Sequence, residues 1–258
     1  MVMMESFNPK LLFANIEYLI KSEHRKIGEV ESQAGVSAGY ISRTGKDGGS
    51  RPGIDFIMNI ARVLHVSVDT LLQVELASLT PTEHYVLSFL EKLKRNTRQE
   101  ALAWERVPAG SLNNLKYGLA THPLFDLRTF REEKESRYPE EVSRLVFVSR
   151  SFDVHTTIHG DCFQLELQNG ACVHLMNISK SHDHLGDRHA VAKEVWMSLP
   201  REEPQYLGSD YQGDKLAAVI HSLYEEVAAN TKHPKLKPAF RHAIDSFMRS
   251  GNKDDIPF

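Results

Sequence analysis

Apolar residues repeat with one period in the first part of this chain and another in the last, and that change restricts the folds open to it. Up to Leu72 they recur three and four apart, as on one face of a helix. From Val142 they alternate with polar residues, the period of a half-buried strand. A chain that switches in this way is expected to be α+β with two parts: a helical unit first, then an antiparallel sheet with flanking helices. With 258 residues, 41% hydrophobic and 25% charged, wholesale disorder, collagen-like repetition and a disulfide scaffold are excluded. The net charge of −3 advertises neither an anionic membrane nor a polyanion. No apolar run reaches the roughly 18 residues of a membrane span. The start of the chain lacks a secretory pattern, and two cysteines fit a reducing compartment, so a cytoplasmic protein without a membrane partner is expected.

Five short helices are predicted before residue 74. Asn8 is placed to cap the first, with Pro9 at its first position, and Leu11, Leu12, Ile16, Leu19 and Ile20 line one side. Ile27, Val30 and Ala34 make a second stripe, ended by Gly35. Ser37 is placed to cap a third helix carrying Tyr40 and Ile41, exposing its first turn to a groove or a phosphate. Phe56, Ile57, Ile60, Ala61 and Leu64 form a fourth stripe, and Ser67 precedes a fifth that ends at Leu72. Helices this short need a shared core.

Thr80-Pro81-Thr82-Glu83 is a capping-box sequence and opens a helix expected to run to about Trp104. A loop-rich stretch is expected from Pro108 to about Glu141. Beyond it, Leu145–Val148, Val154–Ile158, Phe163–Leu167, Cys172–Ile178 and Val195–Leu199 read as strands of a meander, with Asn169-Gly170 as a hairpin turn. Leu216 to Val227 gives an amphipathic helix, and Pro238 starts another bearing Phe240, Ile244 and Phe247 on its buried side.

The segment Ile27 to Thr44 carries the functional signal. Two short helices crossing steeply need a tight turn, which Gly35 supplies, and small or apolar inner positions, supplied by Val30, Ala34 and Ile41. Gly35-Val36-Ser37-Ala38-Gly39-Tyr40-Ile41-Ser42-Arg43 resembles the recognition segment of Cro/C1-type (XRE family) helix-turn-helix regulators. The likeness continues through Arg51-Pro52, Ile57–Leu64 and Val66–Leu72, and covers roughly residues 10 to 73. It implies a lambda-repressor-like DNA-binding domain over 1–75, leaving 76–258 as an α+β sensor or dimerisation domain of unknown ligand.

The resemblance further implies a homodimer on double-stranded DNA, reading a pseudo-palindromic operator and acting as a transcriptional regulator, in the first instance a repressor. Carried over by position, Ser37, Ala38, Gly39, Tyr40, Ser42 and Arg43 lie on or beside the recognition helix. Lys26, Lys46 and Arg51 are placed to hold the phosphate backbone. The sequence departs from the family at Glu31, where alanine is usual, at Gly45, and in the long loop Gly45–Ser50. Residues 1–75 carry eight basic and nine acidic side chains, although the balance from Tyr40 to Arg51 is positive.

No cofactor, metal or enzymatic activity is expected. The histidines at 155, 159, 174, 182, 184 and 189 lack metal-ligand spacing, and no nucleophile–base motif is present. Cys162 and Cys172, on adjacent strands, are candidates for a redox pair or for plain buried thiols. The alternative to DNA reading is a phage-repressor or antitoxin-like switch whose C-terminal part binds a partner protein. In either case an effector, small molecule or protein, is expected at the C-terminal part.

Overall fold

The computed structural model describes residues 7–45, 51–107, 124–132, 140–147, 154–182, 189–211, 213–232 and 246–247. Five helices come first: α1 (Pro9–Ser22), α2 (Ile27–Gln33), α3 (Tyr40–Thr44), α4 (Ile54–Val63) and α5 (Val68–Gln73). Asn8 caps α1 by accepting from the amides of Lys10 and Leu11. Ser67 caps α5 by accepting from the Thr70 amide. Their inner faces close on one core of Leu12, Ile16, Val30, Ile41, Ile60 and Leu71, so each short helix is held by its neighbours rather than by its own propensity.

A 3-10 turn (Leu76–Ser78) leads into α6 (Pro81–Arg98). The capping box is present: Thr80 Oγ1 accepts from the Glu83 amide at 3.2 Å, and Glu83 Oε2 accepts from the Thr80 amide at 2.6 Å. The helix stops at Arg98, earlier than its sequence suggests. Glu100 takes a left-handed φ of 54°, and the amides of Glu100 and Ala101 bond back to the Thr97 and Asn96 carbonyls. Trp104 does not extend the helix; it folds back so that its Nε1 donates to Thr97 Oγ1 at 2.8 Å.

The strands are β1 (Glu105–Val107), β2 (Phe125–Glu132), β3 (Glu140–Phe147), β4 (Val154–Ile158), β5 (Cys162–Glu166), β6 (Cys172–His182), β7 (His189–Ser198) and β8 (Gln205–Ser209). Six of them form an antiparallel sheet ordered β1-β5-β6-β7-β8, with β4 also paired to β6. Because β7 lines one edge of β6 throughout, β5 and β4 share the other: β5 opposes Cys172–Leu175 and β4 opposes Ile178–His182. The Asn169-Gly170 turn joins β5 to β6, with Gly170 at a φ of 78°.

Strands β2 and β3 pair as a separate antiparallel ribbon; β2 lies within the stretch the sequence assigns to loop, whereas β3 contains most of the expected Leu145–Val148 strand and begins earlier. β1 and β8 also go beyond the expected strands. Alternation along β6 gives the sheet two buried faces. Val173 and Leu175 point to α6 and to α7 (Ala217–Lys232), meeting Leu90, Leu93, Val219 and Leu223. Met176 and Ile178 point the other way, onto a cluster with Trp196 and Leu124. Of the helix expected from Pro238, all but Ser246 and Phe247 lies outside the described residues; Phe247 is exposed.

The five-helix unit is fastened to the remainder. Asn15 of α1, 2% exposed, donates to the carbonyls of Leu71 and Val74 and accepts from the Leu76 amide. Lys94 of α6 bonds Asp69 of α5 at 2.5 Å, and the Ser222 hydroxyl of α7 donates to the same carboxylate. Glu91 of α6 accepts from the Ser67 amide and the Thr70 hydroxyl, while the Tyr18 hydroxyl and His84 Nε2 lie 2.8 Å apart.

Candidate nucleic-acid interface

Between α2 and α3 the chain turns through Gly35, at a φ of 72°. The turn closes with the Val36 amide on the Glu31 carbonyl at 3.0 Å. Ile41 and Thr44 are the buried side of α3, and Ser42 and Arg43 are exposed. The segment before the helix, Ser37 and Ala38, is exposed as well. Gly39 and Tyr40 are half-buried, the Tyr40 ring lying 4.9 Å from that of Phe56, so part of its surface is spent on the core.

The cap of α3 differs from the expected one. The helix begins at Tyr40 behind Gly39, which has a φ of 75°, and Ser37 does not cap it. The capping group is Glu31, from the preceding helix and 2% exposed. Its Oε2 accepts from the Gly39 amide at 2.7 Å and its Oε1 from the Ile41 amide at 2.9 Å. A carboxylate thus meets the amide dipoles where a five-residue helix has no side-chain cap of its own. It also fills donors that the sequence reading leaves open for a phosphate.

Arg43 is folded back along the same segment. Its Nη1 donates to the Ala38 carbonyl at 2.9 Å and its Nη2 to Ser37 Oγ at 3.1 Å. A Cβ on residue 39 would lie 2.9 Å from Arg43 Nη1, so the glycine makes room for the guanidinium as well as supplying the left-handed turn. Ser37, Ala38, Gly39 and Arg43 thus form one hydrogen-bonded patch. Lys26 is exposed at the start of α2, and Arg51 is exposed ahead of α4. Lys46 lies outside the described residues.

Family models, curated proteins and solved structures give no match to this chain.

Elsewhere, pairing register separates the two thiols. Cys172 stands opposite Glu166 at one end of the β5–β6 pair. At the other end the Cys162 sulfur accepts from the Asn177 amide. Burial pushes the Cys162 thiol up to about 12, and both cysteines are free. His174 is buried with its Nε2 2.8 Å from the Ser198 hydroxyl; His184 lies outside the described residues. Among the described residues no helix is long and apolar enough to cross a membrane.

Proposed function

We propose that this chain is a sequence-specific DNA-binding transcriptional regulator of the Cro/C1 kind. In this reading α2, the Gly35 turn and α3 act as a helix-turn-helix, with α3 entering the major groove. The supporting observation is the two-sidedness of α3: Ile41 and Thr44 are buried, whereas Ser37, Ala38, Ser42 and Arg43 are exposed together. Hydroxyl and guanidinium donors suit base edges and phosphates, and Ala38 and Gly39 permit close approach. Lys26 and Arg51, with Lys46 in the loop between, would take flanking phosphates. A homodimer on a pseudo-palindromic site, in the cytoplasm and acting as a repressor, completes the proposal.

Selection of duplexes from a random pool by the full chain tests it. Enrichment of a two-fold symmetric sequence is expected, with affinity falling steeply as salt rises. Arg43→Ala should weaken the selected site by about tenfold, the loss of one good charged contact, while melting as the wild type does. Failure to enrich any sequence, or an unchanged footprint for R43A, would sink the reading.

The second reading, a switch that binds a partner protein through its C-terminal part, draws on Glu31. A carboxylate on the α3 amides, and an Arg43 already bonded internally, lower the pull of this surface on a polyanion. Co-purification of a stoichiometric protein partner, with no duplex enriched, would decide for it.

A further inference from the structure

A cleft of about 310 Å³ lies where the end of α4 and the start of α5 meet the last turns of α6. It is at the lower end of small-molecule sites. Its charged lining is one-sided: Arg62 from the five-helix unit, Lys94, Arg95 and Arg98 from α6, and a single carboxylate, Glu91. Three of these groups are committed. Lys94, 3% exposed, is held by Asp69, Arg98 is held by Glu226 at 2.9 Å, and Glu91 Oε1 serves the Ser67 amide and the Thr70 hydroxyl.

Arg62 and Arg95 are not committed. Among the described residues Arg62 reaches only Asn59 Oδ1, at 3.2 Å, within its own helix. Among the described residues the Arg95 guanidinium has no hydrogen bond or ion pair, and no donor reaches Glu91 Oε2. Arg62 from α4 and Arg95 from α6 thus line one cleft with no ion pair to either among the described residues. That is an arrangement for a multi-oxygen dianion, because guanidinium forks pair with phosphate oxygens two at a time. The free Glu91 oxygen would repel a bare anion but accept from a hydroxyl.

We infer that this cleft binds a small phosphate monoester bearing hydroxyl groups, of sugar-phosphate size, with Arg62 and Arg95 on the phosphate and Glu91 on a hydroxyl. The occupant would join the five-helix unit to α6 across the same junction that Asp69 and Lys94 close. The inference is independent of DNA reading, since the binding measurement uses the protein alone.

Calorimetric titration of the full chain with ribose 5-phosphate, orthophosphate and ribose at constant ionic strength tests it. Ribose 5-phosphate should bind, orthophosphate more weakly, and ribose not at all. Arg62→Gln and Arg95→Gln, both at exposed positions, should each weaken binding by about tenfold, with melting temperatures confirming the fold. Glu91→Gln should narrow the gap between ribose 5-phosphate and orthophosphate. Absence of binding by both phosphates, or full binding by the double arginine variant, overturns the site. Equal affinity for the two phosphates overturns the ester. A random-sequence duplex that displaces ribose 5-phosphate from the wild type would reassign the cleft to the DNA backbone.

Discussion

Glu31 shows how one side chain can decide where a helix begins. A hydroxyl cap at Ser37 would have started α3 two residues earlier; a carboxylate reaching in from α2 starts it at Tyr40 and leaves Ser37 to Arg43. Replacing Glu31 with alanine leaves the Gly39 and Ile41 amides without their acceptor in a buried site. A loss of about 2–3 kcal/mol is expected, read from urea unfolding. Hydrogen exchange should show those two amides losing protection first, and unaltered exchange would mean that another group caps the helix. The role was not readable beforehand, because a glutamate eight residues upstream of the cap resembles an ordinary surface residue until the two helices cross.

Among whole elements, starts were more legible than stops. Asn8, Ser67 and the Thr80–Glu83 box announced α1, α5 and α6 because a capping side chain is local in sequence. The ends are hidden because His24, His65 and Glu100, rather than glycine, take the left-handed conformation there. Strand β2 is hidden for another reason: Phe125–Glu132 is rich in charge, and charge without clean alternation reads as loop. Asn15 is a third kind of hidden feature. It looks like a polar lapse in an apolar stripe, yet it serves the open carbonyls at the end of α5 and the next amide beyond. Asn15→Leu keeps the branched shape and removes those bonds. It should cost about 2–4 kcal/mol by thermal or urea denaturation, despite raising the hydrophobicity of α1.

At the level of the molecule, the junction between the five helices and the sheet part carries an ion pair, Lys94–Asp69, whose lysine is buried. Burial works to raise the Asp69 carboxyl, but the Lys94 ammonium and the Ser222 hydroxyl outweigh it and hold it below its ordinary 3.8. A carboxylate depressed in the folded state contributes fully above 3.8 and loses that contribution as pH falls through its lower native value. Melting temperature should therefore drop more steeply for the wild type than for Asp69→Asn as pH is taken from about 5 to about 2. At neutral pH the variant should be less stable by about 3 kcal/mol, since it strands the Lys94 charge in a dry place. Equal pH slopes for the two proteins would show that the ion pair contributes nothing.

The passage from α5 to α6 has one more consequence. Val74, Leu76 and Leu79 are 0%, 1% and 8% exposed and share a core with Val173 and Val195 of the sheet. The connection is thus pinned to the interior by alternate side chains, while Gln73, Glu75, Ala77 and Ser78 between them face solvent. Proteases digesting the native protein should leave the bonds from Gln73 to Thr80 intact, and a fragment trimmed after residue 75 should expose greasy flanks and clump rather than behave as a detachable unit.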